Sequence, residues 1–369
     1  MGRALSAALA EVGIHGPGDV TVTKLGELPK VGPTRAGRLR SAFIAAEPVY
    51  ELARLACAAG LDIRLARRVV DAVGPAAPRL LRDDPWLLLG IGLTPEDADR
   101  FARLAIPGVR RDDPRRSRAL VGYLLARQAR EGHTVTPVPV VLDGLGEYGV
   151  AEPQSAIRAA LESELVRGVD DGGAMLALAQ LADAEQSVAR AIARLTDTAV
   201  KIEVDPGKAP VPELDDAQLR AVHAALEAGV SILTGGPGTG KSRSVASIVL
   251  LAERAGKTVA LAAPTGRAAK RLEELCGAPA STIHRLLGAQ ARQDGDELSF
   301  SGGFAKGADD QLEFDLIVVD EASMLDVELA QALLKACRDG THLVLVGDAA
   351  QLPSIGPGRV LGDLIDSAA

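Results

Sequence analysis

The spacing of apolar and polar residues separates a front part built of short helices from a back part with a different rhythm. Up to about residue 130, apolar residues recur at intervals of three and four, as at Leu52, Leu55, Ala56 and Ala59. This spacing is typical of helices with one buried face. Turns rich in glycine and proline interrupt it, so the front part is predicted to be mainly α-helical.

From residue 216 onward, short runs of β-branched and aliphatic residues alternate with helical periodicity. The runs predict four strands, at 230–233, 258–262, 316–319 and 342–346. A turn and a helical segment follow each run, which is the pattern of a parallel sheet with helices on both faces. We therefore expect an α/β domain over residues 216–369.

Between these two parts lies a segment of mixed character. Residues 134–200 predict two helices, at about 137–148 and 153–167, then an apolar stretch at 174–181 and a further helix. This order is compatible with a small winged-helix-like unit. Residues 201–215 contain four prolines or glycines and are predicted to be a linker.

The composition is that of a globular protein, since 47% of the 369 residues are hydrophobic and 24% are charged. No apolar run approaches the roughly 18 residues of a membrane span. Glu11 comes too early for a secretory signal, so no membrane partner is expected. Three cysteines without a CxxC pattern favour reduced thiols and a cytoplasmic location.

The charge is distributed unevenly along the chain. Residues 1–133 carry 21 basic and 15 acidic side chains, whereas the remainder carries 20 and 34, which gives +6 and −14. A basic front part suggests contact with nucleic acid, although a basic solvated surface explains the charge equally well. Aromatic residues are only 2% of the chain, which argues against an extended surface for stacking bases.

The strongest chemical signal is a complete P-loop, GGPGTGKS, at residues 235–242. Its glycines allow backbone N–H groups to wrap around phosphates, and the following helix adds its positive N-terminal end. Lys241 is expected to reach the outer phosphates, and the Ser242 hydroxyl to bind Mg²⁺. The alternative is a glycine-rich turn without a ligand. The expected nucleotide-binding residues of this loop are Gly236, Pro237, Gly238, Thr239, Gly240, Lys241, Ser242 and Arg243.

Two polar segments follow later strands. An apolar run ends in Asp320 and Glu321, where Asp320 is expected to hold Mg²⁺ and Glu321 to orient or deprotonate the attacking water. Gln351 comes shortly after the run at 342–346 and is expected to touch the γ-phosphate. Taken alone, the first segment is usually just a strand end with a solvated turn, and a turn cap is favoured for the second. Downstream of a P-loop in the same α/β domain, the catalytic interpretation of Asp320 and Glu321 is favoured.

At this point the motifs resemble a known family. DEASML at 320–325 and GDAAQLPSIGPG at 347–358 are similar to motifs II and III of RecD-like DNA helicases of superfamily 1B. LDDAQLRAV at 214–222 resembles the Q motif, which implies that Gln218 reads the adenine. APTGRAA at 263–269 and TIHRLL at 282–287 resemble motifs Ia and Ib, which implies that Thr265, Arg267 and His284 face single-stranded DNA. By residue type alone, His284 fits an ordinary half-buried histidine.

The resemblance extends into the front part. LPKVGPTRAGRL at 28–39 is similar to a helix-hairpin-helix, which implies that Lys30, Gly32 and Thr34 lie at a DNA phosphate. Lys30 stands where the usual first glycine would be. The segment at 90–93 resembles a second copy with about two extra residues, and 73–75 is interpreted as a packing turn. The arginines at 110, 111, 115, 116 and 118 are interpreted as a solvated face.

The resemblance implies a fold and a function. Residues 1–133 are expected to be a helix-hairpin-helix-rich DNA-handling region, and 216–369 a RecA-like P-loop ATPase domain. The family is ATP- and Mg²⁺-dependent and moves 5′→3′ on single-stranded DNA, so single-stranded DNA or DNA ends are the expected partners. Family members continue beyond motif III into a second motor domain with arginine fingers. We therefore expect a second domain in the same chain, or a partner chain, to supply those arginines.

On this interpretation the 369 residues bind ATP and Mg²⁺ but hydrolyse ATP poorly alone. Two other functions remain open at this point. One is a non-catalytic, ATP-regulated DNA-binding module. The other is a different P-loop class, such as a clamp-loader-like or kinase-like enzyme, although the segment at 347–353 and the front hairpins argue against it.

Overall fold

The computed structural model describes residues 3–170, 174–204, 214–236, 238–289, 292–294, 297–299, 303–351 and 353–368. The chain divides into two compact units. The first contains Met1–Tyr123 and Leu142–Ala160, and the second contains residues 124–141 together with Leu161–Ala369. These limits differ from the domain boundaries proposed above at 133/134 and 200/201, which stay predictions.

The first unit is helical. Its consecutive helices are joined by short turns, as the apolar spacing predicts. They are α1 (Arg3–Glu11), α2 (Val22–Gly26), α3 (Pro33–Ala58), α4 (Arg64–Val73), α5 (Ala77–Asp83), α6 (Pro95–Ala105), the first part of α7 (Pro114–Arg130), and two short 3₁₀ turns at Pro17–Asp19 and Pro85–Ile91. Among the described residues, no helix is long and apolar enough to cross a lipid bilayer.

A buried polar network holds the second half of this unit together. The Arg116 side chain is 2% exposed and its guanidinium donates to the Asp99 carboxylate at 2.9 Å and to the Tyr148 carbonyl at 3.2 Å. The indole N–H of Trp86 donates to the same Asp99 at 2.8 Å. Arg118 pairs with Asp84. The interpretation of this arginine cluster as a solvated face is therefore wrong for Arg116, because a carboxylate and a carbonyl inside the unit provide its partners.

The segment after α7 contains a small antiparallel sheet. Its three strands pair in the order β1–β3–β2, and α10 (Ala179–Thr198) packs against β2 and β3. The helices α8 (Val138–Glu147) and α9 (Pro153–Glu162) lie between β1 and β2 along the chain. The strands are β1 (Val135–Pro137), β2 (Val166–Asp170) and β3 (Ala174–Leu178). The helix predicted to reach residue 167 ends at Glu162, because Glu164 takes a left-handed φ of 57° and the chain turns into β2. The winged-helix-like assignment stays a prediction.

The rest of the second unit is a parallel α/β sheet, as predicted. Its five strands run in the order β4–β10–β9–β5–β6. They are β4 (Val230–Thr234), β5 (Val259–Ala263), β6 (Ala280–Thr282), β9 (Leu316–Val319) and β10 (His342–Gly347). The four predicted strands are all present, which confirms the expected P-loop fold class. The fifth, β6, was not predicted because only three residues form it.

Helices cover both faces of this sheet. Alternate residues of β9 enter different cores, with Ile317 and Val319 in one and Leu316 and Val318 in the other. The helices are α11 (Asp216–Glu227), α12 (Lys241–Arg254), α13 (Gly266–Cys276), α14 (Ile283–Leu286), α15 (Val327–Ala336) and α16 (Val360–Ala368), and a separate hairpin is formed by β7 (Arg292–Asp294) and β8 (Glu297–Ser299). Because β9 is buried on both faces, the backbone at its end is held in place at one edge of the sheet.

The buried Arg116 generates a stability prediction. Arg116→Met removes one partner of a buried ion pair and leaves the Asp99 carboxylate without its guanidinium. We expect the free energy of unfolding to fall by about 3 kcal/mol. Urea denaturation followed by circular dichroism measures this change. Arg111→Met, the same substitution at an exposed position nearby, is the control and is expected to change stability little. Equal stability of the two variants would contradict the structural role of Arg116.

Candidate nucleotide site

The P-loop connects the end of β4 to the start of α12. Gly238 and Gly240 both take positive φ angles of 80°, a conformation that glycine adopts without strain. Gly240 is the residue before α12, and a Cβ at this position would lie 2.2 Å from the side-chain nitrogen of Gln218. The left-handed φ therefore favours glycine at position 240, and a larger residue would also displace the Gln218 side chain. Pro237 lies outside the described residues.

Lys241 points back into the loop that precedes it. Its Nζ donates to the Gly235 carbonyl and, at 3.1 Å, to the Gly236 carbonyl. The Thr239 hydroxyl also donates to the Gly236 carbonyl, at 2.9 Å. Ser242 and Arg243 are exposed in the first turn of α12. The loop thus carries a positive charge and a helix N-terminus on the same side, the arrangement that binds phosphate in other proteins.

Asp320 and Glu321 follow the fully buried strand β9. The backbone N–H of Asp320 donates to the Ala262 carbonyl at 3.0 Å, and that of Glu321 donates to Asp320 Oδ1 at 2.9 Å. Glu321 itself takes a left-handed φ of 53°, which is uncommon for a residue with a side chain. Strained backbone of this kind is concentrated at functional sites, so Glu321 is a candidate for more than a solvated turn.

Burial raises the pKa of Asp320 above the ordinary value of 3.8, and the hydrogen bond from Glu321 and the charges of Arg271 and Lys241 oppose that rise. The effect of Lys241 on this carboxyl indicates that the P-loop and the end of β9 share one electrostatic environment. Only β10 separates β4 from β9. Because neighbouring strands are about 4.8 Å apart, the two strand ends are roughly 10 Å apart along the same edge.

The donor set fits Mg²⁺ together with a phosphate. Ser242 and Asp320 offer a hydroxyl and a carboxylate oxygen, and Mg²⁺ in proteins commonly uses one or two carboxylates plus phosphate oxygens and water. Within the described part of the chain, no three His, Cys, Asp or Glu side chains are grouped to hold a metal ion by themselves. A metal bound here therefore needs ligands from a nucleotide and from solvent.

Two glutamines flank the loop. Gln218 forms a capping box with Asp215 at the start of α11, and its side-chain nitrogen donates to the Thr239 carbonyl at 3.4 Å. It therefore ties α11 to the P-loop, and its contact with adenine stays a prediction. Gln351 lies exposed in the turn after β10, where its side chain donates to Asp348 at 3.4 Å. Its contact with a phosphate also stays a prediction.

The residues assigned to DNA lie in two places. Ala263 of β5 pairs with Thr282 of β6, so the segments that follow these strands emerge side by side. Thr265 caps α13, Arg267 is exposed one residue into that helix, and His284 is half-buried near the start of α14. The burial of His284 agrees with its interpretation as an ordinary half-buried histidine. Its contact with DNA stays a prediction.

In the first unit, Lys30, Gly32 and Thr34 occupy the turn between α2 and α3. Lys30 has a φ of 65°, so it adopts the conformation of the glycine that it replaces. Gly32 precedes α3 and Thr34 is exposed in its first turn. The Arg35 guanidinium donates to the Lys30 carbonyl at 3.3 Å, and this hydrogen bond helps to hold Lys30 in its left-handed conformation. The two helices contact each other across this turn, and the helix-hairpin-helix assignment of this segment stays a prediction.

Sequence reasoning missed two residues near these sites. Arg271 on α13 acts electrostatically on Asp320, and the Phe304 ring packs against His284 with 5.8 Å between ring centroids. Periodicity gives no signal for Arg271, since it is one of several charged residues on an exposed helix face. The sequence gives a weak signal for Phe304, because aromatic residues are rare in this chain.

Comparison with known proteins agrees with this geometry. Residues 218–357 match a family model described as "AAA domain", and residues 46–135 match one described as "ATP-dependent RecD2 DNA helicase HHH domain". The P-loop, the parallel sheet and the acidic residues after β9 define a P-loop NTPase domain of the RecA-like type.

Among curated proteins, the "ATP-dependent RecD2 DNA helicase" of Deinococcus radiodurans is 33% identical over 332 residues, which cover 84% of this chain and 44% of that protein. The "RecBCD enzyme subunit RecD" of Mycobacterium tuberculosis is 42% identical over 174 residues, or 41% of this chain and 29% of that protein. The chain spans less than half the length of these relatives. These matches support a RecD-like superfamily 1B helicase with an N-terminal helix-hairpin-helix region.

Because burial raises the pKa of Asp320, its charge lowers the stability of the folded protein at neutral pH. We expect Asp320→Asn to raise the thermal unfolding midpoint at pH 7 in metal-free buffer, since an amide retains the bond from Glu321 without the buried charge. The gain is expected to vanish below pH 3.8, where the carboxyl is protonated in both states.

Differential scanning fluorimetry measures these midpoints. Asp309→Asn removes an exposed charge from the same unit and is expected to leave the midpoint unchanged. A lower midpoint for Asp320→Asn in metal-free buffer would contradict a destabilising buried charge.

Proposed function

We propose that this chain is the ATP-binding motor part of a RecD-like 5′→3′ DNA helicase. The observation that carries the proposal is the common sheet edge of the P-loop and Asp320, within a chain that resembles named helicases along most of its length. In this role the chain couples ATP hydrolysis to movement along single-stranded DNA. The relatives named above support the reaction class by analogy, and the 5′→3′ polarity is taken from the resemblance of the motifs to the RecD-like family.

Each residue of the nucleotide site has a distinct role in this proposal. The backbone of residues 236–240 surrounds the phosphates, and Lys241 exchanges its bonds with the loop carbonyls for bonds with the outer phosphates. Ser242 and Asp320 hold Mg²⁺, which neutralises charge on the phosphates when it is bound. Arg243 lies beside the phosphates at the start of α12, and Gln218 contacts the adenine from the neighbouring helix α11.

Hydrolysis requires an activated water and stabilisation of the charge that develops on the phosphoryl group. Glu321 accepts a proton from the water, and Gln351 contacts the γ-phosphate and responds to its loss. Arginines that stabilise this charge are worth roughly 10³- to 10⁵-fold in rate in other P-loop enzymes. We propose that they come from a second motor domain or from a partner chain, so that these 369 residues bind ATP and hydrolyse it slowly.

Single-stranded DNA follows the ends of β5 and β6 in this proposal. Thr265 and Arg267 contact its phosphates, with the N-terminal turns of α13 and α14 close by, and His284 lies beside the strand. In the first unit, the turn that contains Lys30, Gly32 and Thr34 contacts a phosphate of single-stranded DNA or of a DNA end. Both contacts are independent of base sequence, as a motor requires. The proposed location is the cytoplasm.

The nucleotide site is tested by separating binding from hydrolysis. Lys241→Ala removes a charge-assisted contact with phosphate and is expected to weaken ATP binding by about 10- to 100-fold. Glu321→Gln is expected to retain binding and to abolish single-turnover hydrolysis. Fluorescent-nucleotide titration and rapid-quench assays measure the two effects. Lys257→Ala, at an exposed position before β5, is the matched control. Unchanged function in a Glu321→Gln variant would favour a non-catalytic, ATP-regulated module.

The DNA surface is tested through its salt dependence. Arg267→Ala is expected to weaken binding of single-stranded DNA about equally for all base sequences and to lower the slope of log affinity against log salt by roughly one ion. Fluorescence anisotropy at several salt concentrations measures both. Lys257→Ala makes the same change of charge at the opposite edge of the sheet and is expected to change neither. An unchanged slope for Arg267→Ala would show that Arg267 does not contact a DNA phosphate.

A further inference from the structure

Phe304 is an exposed aromatic residue of the second unit. Trp86 and all three tyrosines of the sequence fall in the first unit, and Phe314 packs against the core of the second. Phe304 keeps 37% of its surface exposed. Among the described residues of this unit, it is therefore the one phenylalanine, tyrosine or tryptophan that is exposed to solvent.

The backbone around Phe304 is fixed to the end of α14. Phe304 forms an antiparallel bridge with Ala289, and the N–H of Lys306 donates to the Leu287 carbonyl at 3.0 Å. Leu287 is fully buried. Ala289 in turn donates to the carbonyl of His284 at 2.8 Å. These bonds set the position of residue 304 relative to the helix that carries His284, so little conformational freedom is lost if a ligand binds there.

The Phe304 ring leans against the His284 ring. Their centroids are 5.8 Å apart and their planes are inclined by 49°, which is a tilted packing in which each ring supports the other. His284 follows β6 by two residues, and β6 pairs with β5, whose end leads to Thr265 and Arg267. Phe304 therefore belongs to the same edge of the sheet as the residues proposed to contact DNA phosphates.

We propose that Phe304 stacks on a base of single-stranded DNA at the end of β6, with His284 as the residue that supports its ring. This inference rests on the DNA path proposed above and adds a contact with the base to contacts with the backbone. Stacking suits a motor because every base has a π-face, so the contact is independent of sequence. One fixed aromatic residue is enough for such a contact in a chain with few aromatics.

The experiment compares normal DNA with DNA that lacks bases. Phe304→Leu keeps an apolar side chain but loses the flat ring, and is expected to weaken binding of an oligothymidine by about 5- to 100-fold. Binding of an abasic strand of equal length should not change, and neither should the salt slope, since no phosphate contact is lost. Phe304→Trp should restore the affinity, with tryptophan emission quenched on binding. Tyr50→Leu, which changes an aromatic residue that is 60% exposed in the first unit, is the control.

The outcomes separate this inference from the proposed function. An equal loss on normal and abasic strands would show that Phe304 acts only by packing against His284, and no loss on either would show that the ring does not touch DNA. Both results overturn the stacking contact. If Arg267→Ala still weakens binding in those cases, the DNA path stands and only the stacking fails. If neither Arg267→Ala nor Phe304→Leu changes binding, the DNA path itself is refuted.

Discussion

The second unit depends on the complete burial of strand β9. All four of its residues are inaccessible to solvent, and they pack alternately into two cores on opposite faces of the sheet. This burial fixes the backbone at the point where Asp320 begins. Placing a carboxylate there costs free energy, as the raised pKa of Asp320 indicates. Apolar packing elsewhere in the sheet offsets that cost and holds the charge where a cation and a phosphate can approach it.

The same packing accounts for the position of the other candidate residues. Because β4, β10, β9, β5 and β6 are parallel, every strand delivers its following loop to one edge. The P-loop and the motif III turn follow β4 and β10, and the candidate DNA contacts follow β5 and β6. The candidate nucleotide residues and the candidate DNA contacts at this edge are therefore joined through β9 by backbone hydrogen bonds, including that from Asp320 to Ala262.

Local sequence patterns predicted most of this architecture because four strands of the sheet are continuous apolar runs and the P-loop has fixed spacing. They failed where a feature depended on tertiary contacts. β6 has three residues and exists because β5 provides its partner, and Arg116 is buried because Asp99 and Tyr148 provide its partners. The φ of Lys30 is equally invisible in sequence, since a lysine in a glycine conformation requires support from Arg35 and the flanking helices.

A sheet of this kind also limits how ATP hydrolysis can produce movement. Protein interiors are closely packed and not continuously deformable, so the distance between the ends of β4 and β6 cannot change much without breaking the sheet. In the proposed function, a nucleotide at one end would therefore not move DNA at the other end by deforming the unit between them. Displacement along a strand would require a second body that changes its position relative to this sheet when the γ-phosphate is lost. β9 would then be the rigid reference, and the arginines proposed to complete the nucleotide site would lie on the part that moves.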